Sequence, residues 1–293
     1  MVTENSTGQG LIRLAIQKNG RLSTESIELI RECGITFDTT GNKLKTEAHN
    51  FPLEILFLRD DDIPQYVCDG VADLGIVGEN IIFEKRRELD IVEKLGFARC
   101  RLSLAMPIAS RFKGLGDLNG LSIATSYPSS LSEFLKANGV RATVRVVHGS
   151  AEIAPGVELA QAICDLVSSG STLLSHGLKE VAQLFKSEAV LVRTARFSAS
   201  KRVLFEKLLF RIQSVKRARE CKYVVLNTPN QAISKIRALL PGLRSPTVSA
   251  LVTPGWSSLH SVIKESEFWE VIESLKAAGA EGILVMPIEK MIW

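Results

Sequence analysis

From Leu11 onward, short apolar runs alternate with longer segments in which apolar residues recur at helical spacing. That alternation leaves little choice of architecture: strands and helices in turn build an α/β layer with a largely parallel sheet. A chain of 293 residues also exceeds what one core usually organises, so two or three units are expected. Residues 11–17 read as the first strand, residues 18–21 as a basic, glycine-containing turn, and residues 23–32 as a helix capped by Ser23 with Ile27 and Ile30 on its inner face. Strands follow at residues 53–58 and 73–77, with a helix over 60–69 that opens on three aspartates and Pro64. A second α/β lobe is read in strands 101–106, 121–125, 143–147 and 162–167, a helix over 129–138 and a helix over 173–181. Residues 190–193 form a short strand and residues 201–221 a long helix that could bridge lobes.

The last part has its own order: strand 223–226, helix 231–240, strands 247–252 and 259–263, helix 268–278, strand 282–285. This is βαββαβ, the ferredoxin-like split unit, and Pro229, Pro241, Gly242 and Gly279 fall between its elements. The main boundary is placed near Cys221.

Charge narrows the ligand class. With 36 basic against 32 acidic residues and a formal charge of +4, spread without a polybasic tract, a small anion is a better partner than a nucleic acid. Cys33, Cys68, Cys100, Cys164 and Cys221 stand far apart without a CxxC pair, the pattern of reduced core thiols. His49, His148, His176 and His260 show no metal-binding spacing. No apolar stretch reaches the roughly 18 residues needed to span a bilayer, and residues 1–10 are polar, so the chain reads as cytoplasmic with no membrane partner.

The most informative stretch runs from Asp165, near the end of a strand, into Ser168, Ser169, Gly170, Ser171 and Thr172. Backbone amides and hydroxyls of such a turn can converge on a phosphate, with glycine allowing close approach. An acidic residue just upstream can accept ribose hydroxyls or hold Mg²⁺ through water. On spacing alone the same residues would serve as a capped strand-to-helix turn. They lack the lysine of the GxxxxGK[ST] nucleotide-binding loop.

The segments QKNGRL (17–22), LRDDDIP (58–64), GVADLGIVGEN (70–80), CRLSLA (100–105), IATSYP (123–128), the 162–173 stretch and PIEKM (287–291) occur in this order. Together they resemble the long-form ATP phosphoribosyltransferases, the first enzyme of histidine biosynthesis. The resemblance spans residues 11–292. It implies two lobes of the type II periplasmic-binding-protein kind, lobe I at 1–100 with a return at about 188–220 and lobe II at 101–187. A ferredoxin-like (ACT-like) regulatory domain would occupy 221–293.

The implied reaction joins N1 of the ATP adenine to C1 of phosphoribosyl pyrophosphate. The resemblance assigns Lys18, Arg21, Glu152 and Asp165 to catalysis, and Asp165 with Ser168 to Thr172 to the donor. Arg21, Arg59, Asp73, Gly75 and Tyr127 would contact ATP, and Asn227, Leu243, Thr247 and Gly282 an inhibitory histidine. Mg²⁺ would be held mainly through substrate phosphates, with Asp165 as a further candidate. The implied assembly is a homo-oligomer, dimer or hexamer. Asp60, Asp61 and Asp62 have an alternative reading as residues that complement a helix start.

Two positions depart from the family pattern, Glu158 where glycine is commoner and Gln161 where aspartate is. Near Gly41 and Asn42 relatives commonly carry an arginine, and here only Lys43 offers a cation. Glu158 and Gln161 support the alternative of a non-catalytic small-molecule sensor with the same lobes. An exported solute-binding protein would require a signal peptide.

Overall fold

The computed structural model describes residues 10–39, 43–195 and 198–292. Gly41 and Asn42 lie outside them. The elements in chain order are β1 (Ile12–Gln17), α1 (Arg21–Glu32), β2 (Lys45–Glu47), β3 (Leu53–Leu58), α2 (Ile63–Cys68), β4 (Leu74–Gly78), α3 (Glu79–Lys85) and β5 (Asp90–Lys94). There follow β6 (Cys100–Pro107), β7 (Ser122–Thr125), α4 (Pro128–Ala137), β8 (Thr143–Val146), β9 (Ala162–Val167), α5 (Ser171–Ser175), β10 (Leu178–Ser187) and β11 (Ala189–Arg193). The last are α6 (Ala199–Glu220), β12 (Cys221–Pro229), α7 (Ile233–Leu239), β13 (Thr247–Ala250), β14 (Trp256–Lys264), α8 (Glu265–Ala277) and β15 (Glu281–Pro287). Two compact units divide the chain: residues up to 28 with 35–205, and residues 29–34 with those from 206 on. The division falls inside α6.

The first unit carries two sheets. One has the order β2-β3-β1-β4-β11-β5 and the other β10-β6-β9-β7-β8. β1 runs parallel to β3 and β4, and β7 parallel to β8 and β9. The central strand β4 is buried along Leu74–Val77, and β1 is buried at Ile12, Leu14, Ala15 and Ile16. β4 meets α2 so closely that a Cβ at Gly75 would stand 2.8 Å from Ile63 Cγ2 and 3.0 Å from Val67 Cγ2. Only glycine permits that approach. The chain enters the second sheet between β5 and β6 and returns between β10 and β11, where Glu188 alone separates the strands. This is a two-lobed α/β fold, as the sequence implies.

Carboxylates tie the lobes together. Glu84 of α3 accepts the backbone N–H groups of Ser129 and Ser130, both at 2.9 Å, and the Ser130 hydroxyl at 2.8 Å, all in the first turn of α4. A carboxylate here satisfies amides that have no partner within the helix and complements its dipole. At the return crossing, Glu188 accepts the Gly96 amide at 3.1 Å, and its own carbonyl accepts the Glu79 amide at 3.1 Å. Beside it Asn80, buried, receives the Ser187 hydroxyl at 3.0 Å.

The second unit has a four-stranded antiparallel sheet, order β13-β14-β12-β15. Val224, Leu226, Ile236, Leu259, Phe268 and Leu275 form its core. Numbered within the unit the strand order is 2-3-1-4, that of a ferredoxin-like βαββαβ domain.

Two sequence expectations are corrected. Residues 173–181 are not a helix: α5 stops at Ser175, Gly177 takes φ +68°, and β10 starts at Leu178, paired antiparallel with β6. The segment LKEVAQLFKS is a half-exposed edge strand, whose mixed pattern fits either element until pairing with β6 decides it. Ser23 is not a cap either. α1 opens two residues earlier, after Gly20 at φ +99°, and the Ser23 hydroxyl donates to the Lys18 carbonyl at 3.2 Å. The polar β2, α3 and β5 were not legible in the sequence.

Glu84→Ala should lower the thermal midpoint by the equivalent of about 1–3 kcal/mol, because three buried donors lose their acceptor together. A calorimetric midpoint equal to that of the parent protein would show that the interlobe contact contributes nothing.

Candidate active site

Parallel strands bring their carboxyl ends to one edge of a sheet, and loops there are free to bind ligands. In the first lobe β1 and β3 end side by side at Gln17 and Leu58. Lys18 and Arg59 therefore leave the sheet together, joined by the Lys18 amide donating to the Leu58 carbonyl at 2.7 Å. In the second lobe β9 and β7 likewise end together, so the turn from Ser168 to Thr172 and Tyr127 share an edge.

The turn after β9 has the features expected of an anion cradle. Gly170 stands at φ +83°, in the left-handed region, which glycine occupies without strain. Ser168, Ser169, Ser171 and Thr172 are exposed, and the hydroxyls of Ser169 and Ser171 lie 2.9 Å apart. One strand-end earlier, Asp165 is largely buried, and burial pushes its carboxyl up to about 6, helped by the charge of Glu152 and opposed by the Leu166 amide. That amide donates to Asp165 Oδ1 at 2.7 Å. Glu152 sits on a short 3-10 turn (Ala151–Ile153) entered through Ser150 at φ +51°.

The first lobe supplies cations. Arg21, mostly exposed, reaches Glu25 at 3.4 Å. Its field acts on the Cys100 thiol at the start of β6, which burial nonetheless pushes up. Lys18 and Lys43 line one small concavity of about 140 Å³ with Asn19, Asp38 and Thr39. Arg59 opens the 3-10 turn Asp60–Asp62. Asp60 is held above the usual carboxylate range by burial and by Asp61.

Tyr127 stands between the lobes. Its ring packs against the cores of both, and its hydroxyl lies 3.5 Å from Asn80 Nδ2. Burial and then the charges of Asp165 and Asp60 raise its phenol. Asp60 from one lobe and Asp165 from the other therefore act on one buried hydroxyl. Asp60 was read in the sequence only as a helix-start residue.

Asp73 and Gly75 are not brought to this edge. Asp73 precedes β4, at the amino end of the parallel strands, and is buried. Its carboxylate accepts Lys201 Nζ at 2.7 and 2.8 Å and the Arg13 amide at 2.8 Å. Gly75 is an interior strand position fixed by helix packing. Their nucleotide-binding expectation is corrected: both serve the core.

Glu158 and Gln161 are also explained. Glu158 has φ +59°, a conformation that favours glycine, and its side chain is exposed. Gln161 Oε1 accepts the Ser122 amide at 2.8 Å, at the edge where β7 begins. Neither side chain makes a hydrogen bond to the turn after β9.

In the second unit Asn227 and Gly282 meet. β12 and β15 pair Asn227 with Glu281 across a register irregularity, and Gly282, at φ +58°, leaves 3.4 Å between the position of a Cβ and Asn227 Nδ2. Thr247 and Leu243 lie toward the other edge, Thr247 opening β13 with β14 between it and β12. The four do not converge within one copy.

Three residues at the donor turn went unread in the sequence: Arg101, Ser103 and Glu180. Arg101 and Ser103 alternate on one face of β6, opposite Val167 and Asp165 of β9. The spacing in CRLSLA carries that signal. Glu180 was hidden by the helical reading of residues 173–181.

Among the described residues no group of three or more His, Cys, Asp or Glu side chains could hold a metal ion. Among the described residues no helix is long and apolar enough to cross a membrane.

Family comparison agrees with this geometry. Residues 59–214 match the family model described as ATP phosphoribosyltransferase, and residues 218–290 that of the HisG C-terminal domain. An ATP phosphoribosyltransferase of Cytophaga hutchinsonii is 58% identical over 282 residues, covering 96% of this chain and 99% of that protein. One from Bacteroides fragilis is 52% identical over 282 residues, covering 96% and 100%. Among solved structures, the ATP phosphoribosyl transferase (HisG:HisZ) complex from Thermotoga maritima aligns with a TM-score of 0.60 at 26% identity, covering 69% of this chain and 99% of that one. With one family model spanning more than half the chain and relatives matched over nearly their whole length, the chain belongs to the ATP phosphoribosyltransferase family.

Proposed function

We propose that this chain joins N1 of the ATP adenine to C1 of phosphoribosyl pyrophosphate, as a pentosyltransferase of histidine biosynthesis, with the turn after β9 holding the donor. One observation carries the assignment of the turn: a buried carboxylate, Asp165, stands immediately before a row of exposed hydroxyls around a left-handed glycine. The 5-phosphate accepts from amides and hydroxyls of Ser168 to Thr172, and Asp165 with Glu152 faces the ribose. The bond from C1 to the pyrophosphate oxygen breaks with its electron pair on the leaving group, while the N1 lone pair forms the new bond. Positive charge gathers on the ribose, so the carboxylates of Asp165 and Glu152 favour the transition state over the ground state. Lys18 and Arg21, at the opposing strand ends, meet the charge that develops on pyrophosphate. Arg59 and Tyr127 border the nucleotide. N1 brings its own lone pair, so rate comes from positioning and electrostatics.

The family requires a divalent metal. Mg²⁺ suits the site: bound chiefly by substrate phosphates and touched by Asp165, it would neutralise the departing pyrophosphate.

The functional division follows lobe I at 1–100 with its return at 188–220, lobe II at 101–187, and a regulatory domain at 221–293. Histidine as feedback inhibitor is assigned to that last domain, near Asn227, Leu243, Thr247 and Gly282. Because these four lie apart in one copy, a pocket between paired domains fits them better, which favours a homo-oligomer, dimer or hexamer. The five cysteines are all free, in keeping with a cytoplasmic enzyme. The sensor alternative rested on Glu158 and Gln161, and local backbone and strand-edge roles account for both.

Asp165 sets the pH dependence. Its carboxyl is raised in the folded protein to about 6, so the ionised form that faces the ribose is lost as pH falls through that value. The ratio kcat/KM for the donor should decline on the acid side with an apparent pKa of about 6. Asp165→Asn should flatten that limb and lower the rate at least about tenfold. A limb unchanged in the variant would assign the titration to another group. For stability the sign is opposite: a carboxyl raised by burial favours the fold below its unfolded pKa, and that advantage disappears as pH rises through about 6.

Thr172→Ala and Gly170→Val should each raise the donor KM by about five- to fiftyfold, one by losing a charge-assisted hydrogen bond and the other by forcing a branched residue into a left-handed conformation. The ATP KM should stay within about twofold. Donor KM values unmoved in both variants would rule out this turn as the phosphate site.

Asn227→Ala should raise the histidine concentration for half-inhibition by about tenfold or more, the loss expected for one buried polar contact, with the uninhibited rate retained. Superimposable inhibition curves would place the inhibitor elsewhere.

A further inference from the structure

Arg101 makes three contacts at the donor turn. Nε donates to Glu180 Oε1 at 2.7 Å and Nη2 to Glu180 Oε2 at 2.5 Å, a forked pair. Nη1 donates to the backbone carbonyl of Ser168 at 3.0 Å. Glu180 is held in turn by the Ser103 hydroxyl, which donates to Oε1 at 2.7 Å and is itself buried. Ser103 stands directly opposite Asp165 in the β6–β9 ladder, and Arg101 opposite Val167. A polar row therefore runs across three strands, from Glu180 on β10 through β6 to the acid at the end of β9. Its guanidinium reaches the first residue of the phosphate turn.

We propose that Arg101 and Glu180 are a positioning pair for the donor turn, which fix the Ser168 peptide so that the following amides and hydroxyls face the 5-phosphate before it arrives. The inference rests on the reading of that turn as the donor site. A guanidinium so close to a phosphate site invites a direct contact with the anion, but here three of its five N–H groups, one on each nitrogen, already donate to protein oxygens and fix its plane. Glu180 also cancels the charge, and its own carboxyl is lowered first by that contact with Arg101. What the pair supplies is geometry. The Ser168 carbonyl accepts from a rigid, planar donor, and the planar fork pins that donor in two places at once, which a lysine cannot do. The edge strand that carries Glu180 has a register irregularity between Glu180 and Ala182, a local bend of the kind that re-aims a side chain beside an active site.

The pair contributes little to global stability. Its side chains are 29% and 27% exposed, and ion pairs open to water give small net stabilisation. Variants should therefore fold, and their effect should appear in donor binding.

The experiment is a double-mutant cycle of Arg101→Met, Glu180→Ala and the double variant in the full-length protein, with Arg101→Lys as a fourth and Thr172→Ala as control. Donor KM, ATP KM, kcat and thermal midpoint are measured for each. Each single variant should raise donor KM about tenfold, with ATP KM and the kcat at saturating donor within about threefold of the parent, and with an unshifted midpoint. The double variant should be no worse than either single one, because both changes release the same carbonyl. Arg101→Lys should behave like Arg101→Met, since charge without the fork does not restore the geometry. If Thr172→Ala raises donor KM while the pair variants do not, the turn is the donor site and the pair is passive, which overturns the inference alone. If Thr172→Ala is also silent, the donor-site reading falls and this inference with it. A lower donor KM in Glu180→Ala would mean that a released Arg101 binds the phosphate itself, and additive losses in the double variant would mean separate roles. Either result overturns the pairing.

Discussion

The chain crosses between the lobes twice, and the carboxylate of Glu188 joins the two crossings. Glu188 fills the return crossing by itself and accepts the Gly96 amide from the outgoing one, so the strand ends of one sheet are indexed to the other. Glu84 adds a second tie, from α3 into the first turn of α4. The carboxyl ends of β1 and β3 belong to one lobe and those of β7 and β9 to the other, and in the function proposed above they are the two walls of one site. Tyr127 registers both: it packs on the two lobe cores and its phenol responds to an aspartate from each. The hydroxyl row and the basic turn would have little chemical meaning as separate surface features.

Charge is divided between the walls in a way that suits a displacement at an anomeric carbon. Lys18, Arg21 and Arg59 belong to the first lobe, while Asp165 and Glu152 belong to the second. Ribose charge and pyrophosphate charge develop in opposite senses, so in the proposed function the carboxylates of the second lobe meet the first and the cations of the first lobe the second, with Asp60 an acid on the basic side. The burial that raises Asp165 to about 6 is the cost of this arrangement.

Much of this was legible in the sequence, for reasons that particular elements make plain. Strands buried on both faces, such as β3 and β9, announce themselves as apolar runs, and their bounds were read to the residue. The turn after β9 was readable because hydroxyl and glycine residues cluster where a strand ends. The failures have a common cause: they occur where tertiary pairing decides between elements of similar local preference. LKEVAQLFKS became an edge strand because β6 offered it a partner, and Ser23 lost its capping role because Gly20 allowed the helix to open sooner. Asp73 was misplaced through direction. A residue beside a strand in sequence lies at one of its two ends, and only the parallel pairing of β1 with β4 shows that Asp73 stands at the end remote from Lys18.

The departures from the family pattern teach the converse lesson, that an unusual residue can be inert when the backbone accounts for it. The φ of +59° at position 158 is one that favours glycine, and Glu158 accepts about 1 kcal/mol of local strain with its side chain in solvent. Gln161 supplies a carbonyl oxygen to a strand-edge amide, a contact that an aspartate could also make. Neither change alters Asp165, Gly170 or the hydroxyls between Ser168 and Thr172. Nothing at positions 158 or 161 therefore argues against turnover.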